Sequence, residues 1–164
     1  MKASKELGAS LQSVLVDLLE LQFQGKQAHW NVVGSNFRDM HRQLDEIIDV
    51  ARAFSDQTAE RMRALHVVPD GRSATVASAT SLAPFPEGEV STKDTVGLIT
   101  SALEAVVATS RGVHDAVDEE DPTTADLLHL IIDKLEQFAW MVSAENRRPG
   151  ADAQAAKPKT ATKK

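Results

Sequence analysis

The segment HWNVVGSNFRDMHRQLDEIIDVARAFSDQTAE, residues 29–60, decides the fold, because it combines a long helix-forming pattern with regularly spaced histidines and carboxylates. His41 and Asp45 are four residues apart, and so are Asp56 and Glu60, so each pair projects from one face of a helix. Imidazole nitrogen together with carboxylate oxygen suits iron and similar first-row metals. The alternative for each pair taken alone is a solvated acidic face with an incidental histidine.

Helical geometry makes a sharper demand on these residues. The segment 36–65 contains no glycine and no proline, which predicts one unbroken helix. Asp45 and Asp56 then lie about 16 Å apart along the axis and about 20° apart around it, so one ion cannot contact both. An antiparallel copy of the helix, related by a twofold axis near Val50 and Ala51, would place the first pair of one subunit opposite the second pair of the other. The spacing therefore predicts an isologous dimer with two equivalent sites.

Length and composition indicate one globular domain. The chain has 164 residues, of which 42% are hydrophobic and 26% are charged. The absence of cysteine excludes a disulfide framework, a cysteine-zinc site and a thiol nucleophile. The N-terminus has no apolar run like that of a secretory signal, and no stretch approaches the roughly twenty apolar residues of a membrane span. We therefore expect a cytoplasmic protein that has no membrane partner.

The net charge of −6 is unevenly distributed. Residues 149–164 contain four lysines and one aspartate, for +3, so residues 1–148 carry −9. The C-terminal segment has no residue that could anchor it in a core. We therefore predict a folded domain over 1–148 and a disordered, lysine-rich tail over 149–164. The candidate DNA contacts in this tail are Lys157, Lys159, Lys163 and Lys164.

Hydrophobic spacing predicts four long helices separated by turn signals. The predicted spans are Ser4 to Asn31, a second helix after Gly34 to Leu65, Ser91 to Val117, and Pro122 to Glu145. Residues 66–90 form a long connection, in which Ser73 to Thr80 could form a short helix. We expect Gly34 to end the first helix and Ser35 or Asn36 to cap the second. Phe37 and Trp140 are expected in the core, and His29 continues the core-facing stripe of the first helix.

Four long helices, a long crossover and inward-facing histidines and carboxylates are typical of one architecture. They predict an all-α, ferritin-like four-helix bundle, with the crossover and its short helix between the second and third long helices.

Several motifs closely resemble the Dps family, the mini-ferritins known as DNA-binding proteins from starved cells. They are QAHWNVVGSNF at 27–37, His41, LDE at 44–46 and DQTAER at 56–61, within a resemblance that covers roughly residues 5–146. The resemblance implies a dodecamer with 23 symmetry, built from twofold dimers, and a two-iron ferroxidase site between subunits. It assigns His29, His41 and Asp45 to one subunit, and Asp56 and Glu60 to the other.

Further functional residues follow from the resemblance. Trp30 is similar to a family tryptophan beside the iron site that is thought to take part in electron transfer; the alternative is a packed core aromatic. Asp121 and Asp126 are the candidates for lining threefold ion pores, and helix capping or solubility is the alternative for this acidic corner. The chain departs from the family where His66 follows Leu65, because a Leu-Gly pair is usual there. Its N-terminal extension is short, so a DNA-binding arm must be the C-terminal one.

The resemblance implies an enzyme that oxidises Fe(II), with hydrogen peroxide preferred over dioxygen, and stores Fe(III) as a mineral. Other divalent metals can substitute for iron. It also implies protection of DNA and association with the nucleoid, with the tail binding DNA non-specifically. The alternatives are an iron-storage shell without DNA binding, a DNA-compacting protein with minor ferroxidase activity, and a structural shell with a degraded metal site.

Overall fold

A computed structural model describes residues 1–148 and residue 150. Its helices are α1 (Lys5–Asn31), α2 (Phe37–Ala64), α3 (Ser73–Ala79), α4 (Thr92–Glu120) and α5 (Pro122–Ala144), and its two short strands are β1 (Val32–Val33) and β2 (Val90–Ser91). The prediction of four long helices, with a short helix in the crossover between the second and third, is confirmed. The four tail lysines Lys157, Lys159, Lys163 and Lys164 lie outside the described residues, so the domain boundary and the tail stay predictions.

Side-chain caps fix where the helices begin. Ser4 Oγ accepts a hydrogen bond from the Leu7 amide at 3.0 Å, and Ser91 Oγ accepts one from the Asp94 amide at 3.1 Å. Pro122 is the first residue of α5, where a missing amide proton costs nothing. At the second helix Asn36 occupies the N-cap position, as expected, but it adopts a left-handed conformation with φ of 57° and makes no side-chain cap bond.

The core is formed by aliphatic side chains from all four long helices. The largest of its fully buried side chains include Leu11, Leu18, Leu44, Ile48, Met62, Ile99, Leu103, Leu128 and Leu135. Helix α1 lies between α2 and α4, and α4 packs against α5. A Cβ atom added at Gly25 would lie 2.7 Å from Ile48 Cγ1, so glycine allows α1 and α2 to approach closely.

The crossover is attached to the bundle at two points, one directly after α3 and one at its C-terminal end. Strand β2 pairs in parallel with β1, with Val32 opposite Val90. After α3, the buried carboxylate of Asp17 accepts hydrogen bonds from the Thr80 hydroxyl at 3.0 Å, the Ser81 amide at 2.7 Å and the Thr109 hydroxyl at 2.6 Å. These bonds join α1, the crossover and α4 around one side chain.

Three expectations about burial and helix length are wrong. Phe37 is 44% exposed and Trp140 is 61% exposed, although both were expected in the core. Helix α4 continues past Val117 to Glu120. The carboxylate of Glu120 accepts hydrogen bonds from the amide of Ser4 at 2.7 Å and from its hydroxyl at 2.6 Å, which holds this last turn against the start of α1.

Helix α4 is long and apolar enough, by length and composition alone, to cross a membrane. Its buried side chains pack against α1 and α5 in the bundle core. The expectation of no membrane partner therefore stays a prediction.

Candidate metal centre

Two histidines meet where α1 ends and α2 begins. The rings of His29 and His41 are stacked, with centroids 3.6 Å apart and an interplanar angle of 25°. His29 Nδ1 lies 3.0 Å from the backbone oxygen of His41, and His41 Nδ1 lies 2.9 Å from the backbone oxygen of His29. The two residues therefore hold each other in place reciprocally.

These backbone contacts determine which nitrogen of each ring is available. A carbonyl oxygen only accepts hydrogen bonds, so Nδ1 of each histidine carries the proton and donates it. In the neutral ring, Nε2 then keeps its lone pair. Histidines that bind metals usually donate their other ring N–H in this way, which fixes the tautomer and the ring orientation. Both histidines are thus prepared to act as metal ligands through Nε2.

Asp45 lies beside the histidines and is already paired with a cation. Its Oδ1 accepts a hydrogen bond from Lys26 Nζ at 2.7 Å and lies 3.3 Å from His29 Nδ1. The hydrogen bond from Lys26 is the main cause that holds the pKa of Asp45 below its ordinary value, with smaller contributions from the nearby histidines. Asp45 is therefore an anion at neutral pH, and a metal ion that binds its Oδ1 would compete with Lys26.

Asp56 and Glu60 lie further along the same helix, and both are exposed. Because α2 runs without a break from Phe37 to Ala64, Asp45 and Asp56 are separated by about 16 Å along its axis. Within the part of the chain that the structure describes, no three histidine, aspartate or glutamate side chains come together as a metal-binding group. One subunit thus presents the five predicted ligands as two separate half-sites.

Trp30 is 71% exposed, so a packed core aromatic does not describe it in the single chain. It lines an open cavity of about 580 Å³ together with Phe23, Lys26 and Phe85. Phe23 is also 53% exposed. This apolar surface adjoins Lys26 and therefore the Asp45 half-site, and the electron-transfer role of Trp30 stays a prediction.

The two candidate pore carboxylates have different environments. Asp121 is 5% exposed, and the Arg61 guanidinium donates to its oxygens at 2.6 and 2.9 Å while the Thr124 hydroxyl donates a further bond. Burial alone would raise the pKa of Asp121, but the bonds from Thr124 and Arg61 outweigh it and hold the pKa below its ordinary value. Inside one subunit this favours a structural role for Asp121. The side chain of Asp126 is 85% exposed, and Asp126 remains the predicted pore residue.

Sequence reasoning missed Lys26 and Arg61 as partners of the candidate carboxylates. Lys26 is three residues before His29 on α1, so helical spacing placed it on the same face as the predicted ligand. No comparable signal existed for Arg61, because its partner Asp121 is 60 residues away.

Comparisons with known proteins agree with this architecture. A sequence profile of the ferritin family, described as a ferritin-like domain, matches residues 8–148. The chain is 33% identical over 138 residues to DNA protection during starvation protein 2 of Deinococcus radiodurans, an alignment that covers 82% of this chain and 56% of the relative. The chain thus spans little more than half the length of that relative.

Two solved structures are similar over almost their whole length. Dps92 from Deinococcus radiodurans has a TM-score of 0.85 and 31% identity, covering 94% of this chain and 97% of that one. Dps from Microbacterium arborescens, in a high-iron form, has a TM-score of 0.81 and 34% identity, covering 88% of this chain and 97% of that one.

Proposed function

The chain belongs to the Dps family of ferritin-like proteins, and from this membership we propose that it is a ferroxidase that oxidises Fe(II) and stores Fe(III). The iron would be bound between two subunits, by His29, His41 and Asp45 of one and by Asp56 and Glu60 of the other. The observation that supports this proposal is the position of four of these ligands on one continuous helix, α2, as two pairs that are about 16 Å apart, so that one ion cannot contact both pairs of the same chain.

The chemistry of the residues fits iron as the substrate. Two neutral imidazoles offer Nε2 lone pairs, and three carboxylates supply oxygen ligands whose negative charge stabilises Fe(III) more than Fe(II). Oxidation of two Fe(II) ions by hydrogen peroxide supplies two electrons, which cleave the O–O bond and yield two hydroxide ions. Pairing the electrons in this way avoids the hydroxyl radical that a single-electron step would release. Dioxygen is the alternative oxidant.

We place the site in a dodecamer with 23 symmetry, assembled from twofold dimers, because this is the assembly that the family resemblance implies. Asp126 would lie at a threefold pore through which Fe(II) enters. The surface near Trp30 would be covered at the dimer interface, with Trp30 close enough to the iron to pass electrons. Such a shell would act in the cytoplasm.

Charge distribution supports DNA protection as a second function. Residues 1–148 carry −9 and repel phosphate, whereas residues 149–164 carry +3. Four lysines on each of twelve tails could bind DNA phosphates together and hold the shell at the nucleoid, with no preference for base sequence. The alternative is an iron-storage shell that does not bind DNA.

Mixing two inactive variants tests whether the site lies between subunits. The first variant carries His41→Ala and Asp45→Ala, and the second carries Asp56→Ala and Glu60→Ala. Each alone should oxidise Fe(II) with peroxide more than about tenfold slower than the wild type. Mutation of even a residue that only hydrogen-bonds a metal ligand lowers metal affinity or activity by about 10–100-fold. In shells refolded from an equal mixture, half of the dimers contain one chain of each kind. Each of these dimers restores one of its two sites, so about a quarter of the wild-type activity should return.

A matched control carries Asp39→Ala and Glu46→Ala, which removes two exposed carboxylates of the same helix that we assign no ligand role. This control should keep the wild-type rate, and helix content and shell size should be unchanged in all variants. If mixed shells recover no activity although they assemble, the site is not shared between chains. Unchanged rates in both single-species variants would reject ferroxidase chemistry at these residues.

A further inference from the structure

A second pair of histidines lies on the surface formed by α4 and α5. His114 belongs to α4 and His129 to α5, and their Nε2 atoms are 2.7 Å apart. The ring centroids are 4.5 Å apart and the rings are inclined by 35°. Two imidazoles from different helices thus direct their Nε2 atoms at a common position.

The opposite nitrogens of both rings face carboxylates. His114 Nδ1 lies 3.1 Å from Asp115 Oδ1, and His129 Nδ1 lies 3.9 Å from Asp126 Oδ1. Because a carboxylate accepts hydrogen bonds, Nδ1 of His114 carries the proton, and the neutral ring presents a lone pair at Nε2. The same tautomer is favoured in His129 by the negative charge of Asp126. Two lone pairs at 2.7 Å repel each other unless a cation, either a shared proton or a metal ion, lies between them.

The surroundings of this pair favour a cation. The histidines line an open cleft of about 350 Å³ whose other charged residues are Asp115, Asp133, Glu136 and Arg111. The guanidinium of Arg111 is paired with Glu136 at 2.6 Å, which leaves Asp115 and Asp133 as an excess of negative charge. A positive ion in the cleft would therefore be stabilised by its neighbours.

We propose that His114 and His129 bind a late first-row divalent ion, with Zn²⁺ as the representative ion. Imidazole is a preferred ligand of this class, and a carboxylate at Nδ1 is the usual second partner of a histidine that binds zinc. With Zn–N bonds of about 2.05 Å, two tetrahedral ligands lie about 3.3 Å apart, so the nitrogens must separate by roughly half an ångström. The side chain of His129 is 60% exposed and can rotate by this amount.

Water completes the coordination of this ion. Among the described residues no group of three metal-binding side chains is present, so two imidazoles are the protein ligands. The site is distinct from the His29–His41 half-site, which lies on α1 and α2, and it does not depend on the proposed iron chemistry.

Zinc titration of the intact protein tests the proposal. The wild type should bind one more Zn²⁺ per subunit than His129→Ala or His114→Gln, as measured by calorimetry and by metal analysis after gel filtration. His66→Ala, which removes an exposed histidine elsewhere, should bind as much zinc as the wild type. The same loss of one ion should occur when His129→Ala is added to the His41→Ala, Asp45→Ala variant, which separates this site from the iron site.

Anomalous diffraction at the zinc edge provides the direct measurement. Zinc-soaked crystals of the wild type should show a peak within about 2.2 Å of both Nε2 atoms, and this peak should be absent from His129→Ala crystals. If His129→Ala and His114→Gln remain folded and bind as much zinc as the wild type, the proposal is wrong. In that case the two rings share a proton rather than a metal ion.

Discussion

Lys26 Nζ lies 2.7 Å from Oδ1 of Asp45, so the lysine neutralises the carboxylate that we assign to the iron site. Both side chains are partly exposed, at 35% and 47%. This ion pair is consequently weak enough to open, and a metal ion can then replace the ammonium group beside a carboxylate that is already ionised at neutral pH.

Replacing Lys26 by Met should strengthen metal binding at this site. The ion no longer competes with the lysine, and an exposed ion pair of this kind is worth about 0.2–1 kcal/mol, so Fe(II) or Co(II) should bind up to about fivefold more tightly. Anaerobic titration measures the affinity, and Lys93→Met on the exposed face of α4 is the control. Weaker binding in Lys26→Met would instead show that the lysine holds Asp45 in its ligand position.

Gly25→Ala should destabilise the subunit. The added methyl group would lie 2.7 Å from Ile48 Cγ1, and overpacking of this kind costs about 1–3 kcal/mol. Gly97→Ala in α4 is the matched control, because no atom lies within 4 Å of its added Cβ. That change should stabilise α4 by about 0.5–1 kcal/mol. Thermal unfolding measures the stability change of both variants. An equal change in the two would show that α1 and α2 can separate to accommodate the methyl group.

The Arg61–Asp121 pair predicts a specific dependence of stability on pH. The folded-state pKa of Asp121 is lowered, so its stabilisation is complete above the unfolded value of about 3.9 and is lost as the pH falls through the folded value. Asp121→Asn should lower the stability at pH 7 by roughly 2 kcal/mol, the scale of a hydrogen bond to a charged group, and flatten the acid side of the curve. Glu46→Gln should leave the profile unchanged. A profile for Asp121→Asn parallel to that of the wild type would contradict the assignment.

Asp126→Asn should slow the uptake of iron without changing oxidation at the proposed site. In the threefold pore that we propose, a ring of Asp126 carboxylates would concentrate Fe(II), and its loss should reduce the uptake rate about two- to tenfold at low ionic strength. The difference should shrink in high salt because the field is screened. Stopped-flow measurement of mineralisation gives the rate. The control is Asp39→Asn, which changes an exposed residue of α2. Equal rates at every salt concentration would mean that Fe(II) enters elsewhere.

Deleting residues 150–164 should abolish retardation of DNA in a gel while peroxide-driven iron oxidation continues. Replacing the four tail lysines by Gln should have the same effect, which separates charge from chain length. Neutralising four phosphates gives a salt slope of about −3.6, so a steeper slope for the wild type would show that several tails bind together. If the truncated shell still shifts DNA at the same salt concentration, another surface binds it.

Local sequence determined the helices, because their signals lie within a few residues. Ser4, Ser91 and Pro122 mark helix starts to within one residue, since capping and proline geometry act over a single turn. The spacing of the predicted ligands on α2 followed in the same way from an uninterrupted helix.

Features that depend on distant partners were not predictable from periodicity. Asp121 is buried because Arg61, 60 residues earlier, reaches it, and the acidic run around it suggested solvent exposure instead. Trp140 is apolar, but it lies on a face of α5 that the described residues leave 61% exposed. The pair of His114 and His129 is formed by two helices whose relative rotation the sequence does not specify.

The attachment of the crossover to Asp17 should make the interior of each subunit resistant to salt. This carboxylate is 1% exposed and is held by hydroxyl and amide donors, with no lysine or arginine bonded to it among the described residues. Counterions can neither reach nor compete with such bonds. Molar sodium chloride should therefore leave the interior of each subunit intact, and any dissociation that it causes should release folded protomers that can reassemble on dialysis.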